Sequence, residues 1–203
     1  MRVFIAVLVL ILSFQSLSRA DDISDFEIEG MSIGDSLLEK ISQKDIKKQQ
    51  NLFSDKGYVY NSKKYYSLTF GNSDSLNLSQ YDQVQIHIKD DDKKYILESV
   101  SGVNKMSSEN CYKQIDIIEK ELDNIFKDSQ KGNKKKRKHS YDKSGESSTT
   151  DVYYFLKDGS TAAIVCTDWS EKIIKNNPGY FDHLRLTLSS GVFNQWLTNE
   201  AYK

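Results

Sequence analysis

Few residues of this chain combine type and spacing in a way that could do chemistry. Cys111 and Cys166 are the only cysteines, and the three histidines, His87, His139 and His183, are scattered. A reactive thiolate needs a cationic or His-paired setting, and neither cysteine has one nearby in sequence. In an oxidising compartment two cysteines pair as one disulfide; the plain alternative is two separate buried thiols. Closing a loop of about 55 residues would stabilise the fold by about 3–4 kcal/mol in the chain-entropy model. The densest charge is the run Lys134-Lys135-Lys136-Arg137-Lys138, followed by His139. Such a run is a candidate anion-binding site for phosphates or a polyanionic glycan; its bland counterpart is a solvated loop extended by self-repulsion. No aromatic side chain interleaves these lysines, so the stacking platform of a nucleic-acid site is missing.

Hydrolytic chemistry has thin candidates. Asp168-Trp169 would set a carboxylate beside an aromatic wall at a strand end, and His183 could serve as a base. Serine nucleophiles lack their setting: there is no G-x-S-x-G elbow, no S-x-x-K box and no matched His–Asp pair. Glycine-rich phosphate loops and dinucleotide fingerprints are absent, so no cofactor is expected. No His, Cys or carboxylate set has metal-ligand spacing, and Asp90-Asp91-Asp92 lacks the glycine and later glutamate of a calcium loop. His87 and His183 fall on the polar alternation of their strands, which predicts exposure. Tyrosines from Tyr58 to Tyr66 could form a sugar- or peptide-binding face, but strand preference for aromatics is the simpler account. Asn77-Leu78-Ser79 matters as a glycosylation acceptor only in a eukaryotic secretory pathway.

The N-terminus supplies an address. Arg2, the apolar run Val3 to Phe14 and the small residues of Ser18-Arg19-Ala20 read as a signal peptide over residues 1–20, cleaved before Asp21. The apolar run is well short of the roughly 20 residues a bilayer span requires, and no later stretch reaches that length. Neither cysteine lies near the cleavage site, which excludes lipoprotein-type acylation of a mature N-terminal cysteine. Loss of Arg2 and Arg19 takes the formal charge from −1 to −3, leaving no overall attraction to nucleic acid. About 180 residues remain, enough for one domain over 21–203. The 12 tyrosines supply the apolar area that the polar average would otherwise deny the core.

The elements that would position these groups alternate helices with hairpins. Ile33, Leu37 and Ile41 share one helical face, with Ser32 as N-cap, and a second short helix begins near Gln43. Residues 57–70 look extended. Val84, Ile86 and Ile88 alternate with polar residues as a half-buried strand, returned by a partner over 94–103. Cys111, Ile115, Ile118, Leu122 and Ile125 are spaced 4-3-4-3 on a helix over 109–127. Residues 128–150 form a composition break, expected as a mobile basic loop. Asp158-Gly159 turns a hairpin between strands at 152–156 and 161–169. Leu184, Leu186 and Leu188 mark a last strand, and residues 192–202 a terminal helix whose sticky face includes Trp196; Trp169 is expected in the core. The fold class is α+β: an antiparallel sheet of about six or seven strands in hairpins, helices on one face, in two helix-then-meander halves.

The opening Phe26-Glu27-Ile28-Glu29-Gly30-Met31-Ser32-Ile33-Gly34-Asp35-Ser36-Leu37-Leu38 resembles that of an uncharacterised family of small exported bacterial proteins. The likeness continues at Tyr95–Gly102, Cys111-Tyr112, Asp142-Lys143-Ser144-Gly145, Asp168-Trp169-Ser170 and Asp182-His183-Leu184-Arg185. It implies export and a shared fold, and carries over no catalytic residue. The Gly30-Met31-Ser32 step into a helix also resembles outer-membrane assembly lipoproteins of the BamE kind, whose lipid-attachment cysteine is missing here.

The expected function is a non-catalytic envelope protein, periplasmic or secreted, that binds a protein or a polyanionic surface. The competing expectation is a periplasmic hydrolase acting on cell-wall or exported substrates through Asp168, His183 or a buried acid. A secreted inhibitor, marked by an exposed aromatic patch, is a third.

Overall fold

The computed structural model describes residues 22–52, 54–71 and 75–203, so the expected signal peptide lies outside the described residues. Along the chain run α1 (Gln43–Leu52), β1 (Tyr65–Gly71), β2 (Gln83–Lys89), β3 (Leu97–Lys105), α2 (Ser108–Ile125), β4 (Gln130–Lys131), β5 (Lys135–Lys138), β6 (Ser148–Phe155), β7 (Thr161–Asp168), α3 (Glu171–Asn176), β8 (His183–Ser189) and α4 (Gly191–Asn199). The strands form one antiparallel sheet of eight in the order β1-β2-β3-β8-β7-β6-β4, with β5 also on β6. An α+β fold is therefore present. Each half follows a helix, starts at an outer edge and steps inward, and the halves meet where β3 pairs with β8.

Period-2 alternation gives the sheet two unlike sides. On one, Leu68, Ile86, Val100, Leu188, Ala162 and Tyr154 lie in a single cross-strand row. All are buried in one cluster with Cys111, Ile115 and Leu122 of α2 and Ile46 of α1. The stripe on α2 is what fixes it there: burying each of its large aliphatic side chains stabilises by about 1.5–3 kcal/mol. Ser107 caps the helix by accepting from the Asn110 amide, and Cys111 is bonded to Cys166 of β7.

The Phe26–Leu38 stretch is a lid on the same side. Phe26, Ile28, Met31, Ile33 and Leu37 are all buried in the cluster. Ile28 and Met31 exchange backbone hydrogen bonds across Glu29-Gly30, both at positive φ, a tight turn that favours glycine at its second position. The Glu29 carboxylate then accepts the amides of Ser79, Gln80 and Tyr81 at 2.6–3.0 Å, tying the turn to the loop before β2. The helix expected from Ile33 does not form. Gly34 takes φ +94° and donates to the Leu97 carbonyl, and the Leu97 amide returns to Asp35, so hydrogen bonds to the sheet displace those of a helix.

Two further expectations change. Residues 128–150 were expected as a loop, yet they contribute β4 and β5, which pair in sequence with the outer edge of β6. Backbone groups offered by β6 make a strand of residues whose own propensity is low. Nor do the helices share a side. Phe193 of α4 sits 5.2 Å from the Tyr65 ring and 4.8 Å from His87, and both of those residues alternate with the buried row. Phe193, Trp196, Tyr65 and Ala201 make a second, smaller core on the far side of the sheet.

Candidate functional site

The basic run is largely engaged within the fold. Lys134 bridges Asp116 and Glu119 of α2, both at 2.5 Å, while Lys131 reaches Glu119 and Asp123. Hydrogen bonding to Asp116 and then Glu119 holds the Lys134 ammonium above its usual range. Arg137 donates to Asp151 at 2.7 Å, and Lys136 to the Tyr112 hydroxyl at 3.1 Å. Lys135 and Lys138 are the exposed members with no such partner described. A polyanion would have to displace carboxylates to use most of this run.

The hydrolytic candidates are separated by the pleat. Thr167 pairs with His183, so Asp168 points to the opposite side of the sheet from that imidazole. Asp168 accepts the Tyr112 hydroxyl at 3.2 Å. His183 is buried, not exposed, and its Nδ1 donates to the Phe181 carbonyl at 2.8 Å. Burial lowers it to about 4, helped by the charge of Arg185. Burial pushes the Asp182 carboxyl up, opposed by the Trp169 amide it accepts and reinforced by Asp168. Among the described residues no group of His, Cys and carboxylates is arranged to hold a metal ion.

What the fold does assemble is the side of the sheet opposite α2. Its floor is small and hydroxylic: Ser101 bonds to Thr187 at 2.8 Å and Ser99 to Ser189 at 2.9 Å across the β3–β8 seam. One end is roofed by α4, where Trp196 and Tyr60 meet edge to face at 5.0 Å. The other end carries a second aromatic group. His139 lies 4.1 Å from Trp169, Tyr180 4.8 Å from Trp169, and Tyr141 stacks on Tyr180 at 5.5 Å. Trp169 is thus a partly exposed rim residue, against the expectation of core. Asp142 anchors this rim by accepting Ser144, Ser147 and Ser170; the Ser147 hydroxyl and then the Ser144 hydroxyl hold its carboxyl well below the usual range.

Between the two ends the floor itself is buried, Ser101 and Val103 included, and what reaches solvent is a thin layer over it. Gln85, Tyr153, Val165, Arg185 and Thr187 are partly exposed, and Phe155, stacked on Tyr153 at 5.9 Å, is 44% exposed. Comparison with family models, with curated proteins and with solved structures finds no match to this chain.

At the centre is Arg185. It donates to Gln85, whose own amide donates to Ser67 at 2.9 Å. Burial lowers the guanidinium, while the nearby Tyr60 phenol, itself raised to about 12 by burial, opposes that shift. His87 lies under α4 with neither ring nitrogen bonded, lowered to about 3 by burial and then by Arg185. In sequence Arg185 is merely a polar position between two leucines. The signal available was collective: Gln85, His87, Ser101, Arg185 and Thr187 all occupy the polar phase of adjoining strands.

Proposed function

We propose that this protein is an exported, non-catalytic binding protein, periplasmic or secreted, that holds a partner protein on the sheet side opposite α2. Export is supported by the likeness of its opening segment to small exported bacterial proteins and by a buried disulfide, which suits an oxidising compartment. Among the described residues no helix is long and apolar enough to cross a membrane. The observation that carries the assignment is the make-up of that side, a fixed hydroxylic floor under partly exposed side chains, with aromatic groups at each end and the Tyr153–Phe155 pair beside it on β6. Aromatic anchors on a rigid scaffold are what protein interfaces use for most of their binding energy. A polyanionic surface is the weaker partner, since Lys134 and Arg137 already hold carboxylates.

Site-specific photo-crosslinking in intact cells tests this. A benzoylphenylalanine placed at Tyr153, Phe155 or Val165 should give a discrete protein adduct, and one at Lys113 or Lys120 on the outer face of α2 should give none. Adducts confined to the α2 positions would rule out the assignment.

A further inference from the structure

We propose that Arg185 is the anchor for a carboxylate that the partner protein presents, an Asp or Glu side chain on a segment laid across the partly exposed side of the sheet opposite α2. The inference rests on that surface being the binding surface. Its first support is charge segregation. The in-register strand positions on this side carry the cations Lys89, Lys105, Lys135, Arg137 and Arg185 and one carboxylate, Asp151. Glu98, at the bulge in β3, is held by Ser190 at the start of α4. This cationic surface belongs to a chain whose formal charge is −1.

The second support is that Asp151 is taken and Arg185 is not. Asp151 accepts Arg137 at 2.7 Å, and lies two strands away from Arg185 in the same row. Among the described residues Arg185 has no ion pair; its described hydrogen bond is to the neutral Gln85. The other side chains facing the same way nearby are Thr187, Ser101, Val103, Val165 and Tyr60, with the imidazoles of His87 and His183 that burial keeps neutral, and none of them is an anion. A guanidinium taken partly out of water without a counter-charge is costly, and a carboxylate docked on its fork recovers that cost through paired charge-assisted hydrogen bonds. Lysine could not offer the same fork. Gln85, pinned by Ser67, fixes where the fork lies.

The test uses the full chain and two capped peptides, Ac-Thr-Val-Asp-Val-Thr-NH2 and its Asn counterpart, followed by amide and Arg Nε–H resonances. The Asp peptide should move the Arg185 Nε–H signal and bind about tenfold more tightly than the Asn peptide. Arg185→Gln should erase that difference, while Lys105→Gln, on the same side, should keep most of it. Equal binding of both peptides to the sheet, unchanged by Arg185→Gln, would overturn the anchor and leave the surface assignment standing. Shifts confined to α2 and the Phe26–Leu38 lid would overturn both. Tighter binding of a heparin tetrasaccharide than of the Asp peptide would give the cationic side to a polyanion and also overturn the proposal.

Discussion

At the scale of single residues, the two buried histidines have the sharpest solution consequence. His87 is held down to about 3 and His183 to about 4, whereas an unfolded chain would protonate both near pH 6.5. Below pH 6.5 the unfolded state therefore binds protons that the native state refuses, so stability is full above that pH and falls as pH drops toward 4. The slope should approach 1.4 kcal/mol per pH unit for each histidine, or about 2.7 for the two. His87→Phe should stabilise by about 1 kcal/mol at pH 7, because an unbonded buried imidazole becomes an apolar ring beside Phe193. It should also halve the slope between pH 6 and 4.5. Urea denaturation across that range checks both; an unchanged slope in the variant would mean His87 is not the buried neutral group described. The polar alternation placed these histidines on the correct side of the sheet. It could not say that Phe193, from a helix about a hundred residues away, would cover one of them.

At the scale of elements, the disulfide holds α2 to β7, midway between an edge and the central seam. Cys111→Ala together with Cys166→Ala should lower the unfolding free energy by about 3–4 kcal/mol. Hydrogen exchange should quicken first in α2 and β7. A loss below about 1 kcal/mol in urea titration would contradict the staple. These elements were the legible ones. The 4-3-4-3 stripe of α2, the period-2 strands at Val84–Ile88 and Leu184–Leu188, and the Asp158-Gly159 hairpin each carry their partner's geometry in their own spacing. Two of the element misses share a cause. The Ile33 segment and the Lys135–Lys138 strand take their backbone bonds from β3 and β6, and no local pattern announces either pairing. The side of the sheet opposite α2 was half legible, since each strand declared its polar phase while the order in which strands lie side by side stayed hidden.

At the scale of the whole molecule, a sheet of eight strands that does not close on itself must guard two edges. One is guarded chemically: β5 offers Lys135, Lys136, Arg137 and Lys138, all exposed, and charged edges resist strand addition. The other is guarded sterically, with Gln49 of α1 donating to the Thr69 carbonyl at 2.5 Å. The lysines thus have a structural use that requires no ligand. Replacing Lys135, Lys136 and Lys138 with Thr should increase concentration-dependent association relative to the parent chain, read by sedimentation velocity. Unaltered sedimentation at high concentration would return those lysines to a purely solvating role. The threonines should leave the monomer's fold intact, because none of the three side chains is buried.

The inward-stepping strand order also dictates when folding can finish. β8 follows every other strand in the chain, yet it is wedged between β3 and β7. A polypeptide emerging N-terminus first, from a ribosome or a translocation channel, cannot close the sheet until residue 189 is free. Until then the two meanders have no seam and their inner edges stand bare, so this late keystone keeps the nascent chain threadable for as long as it is being delivered.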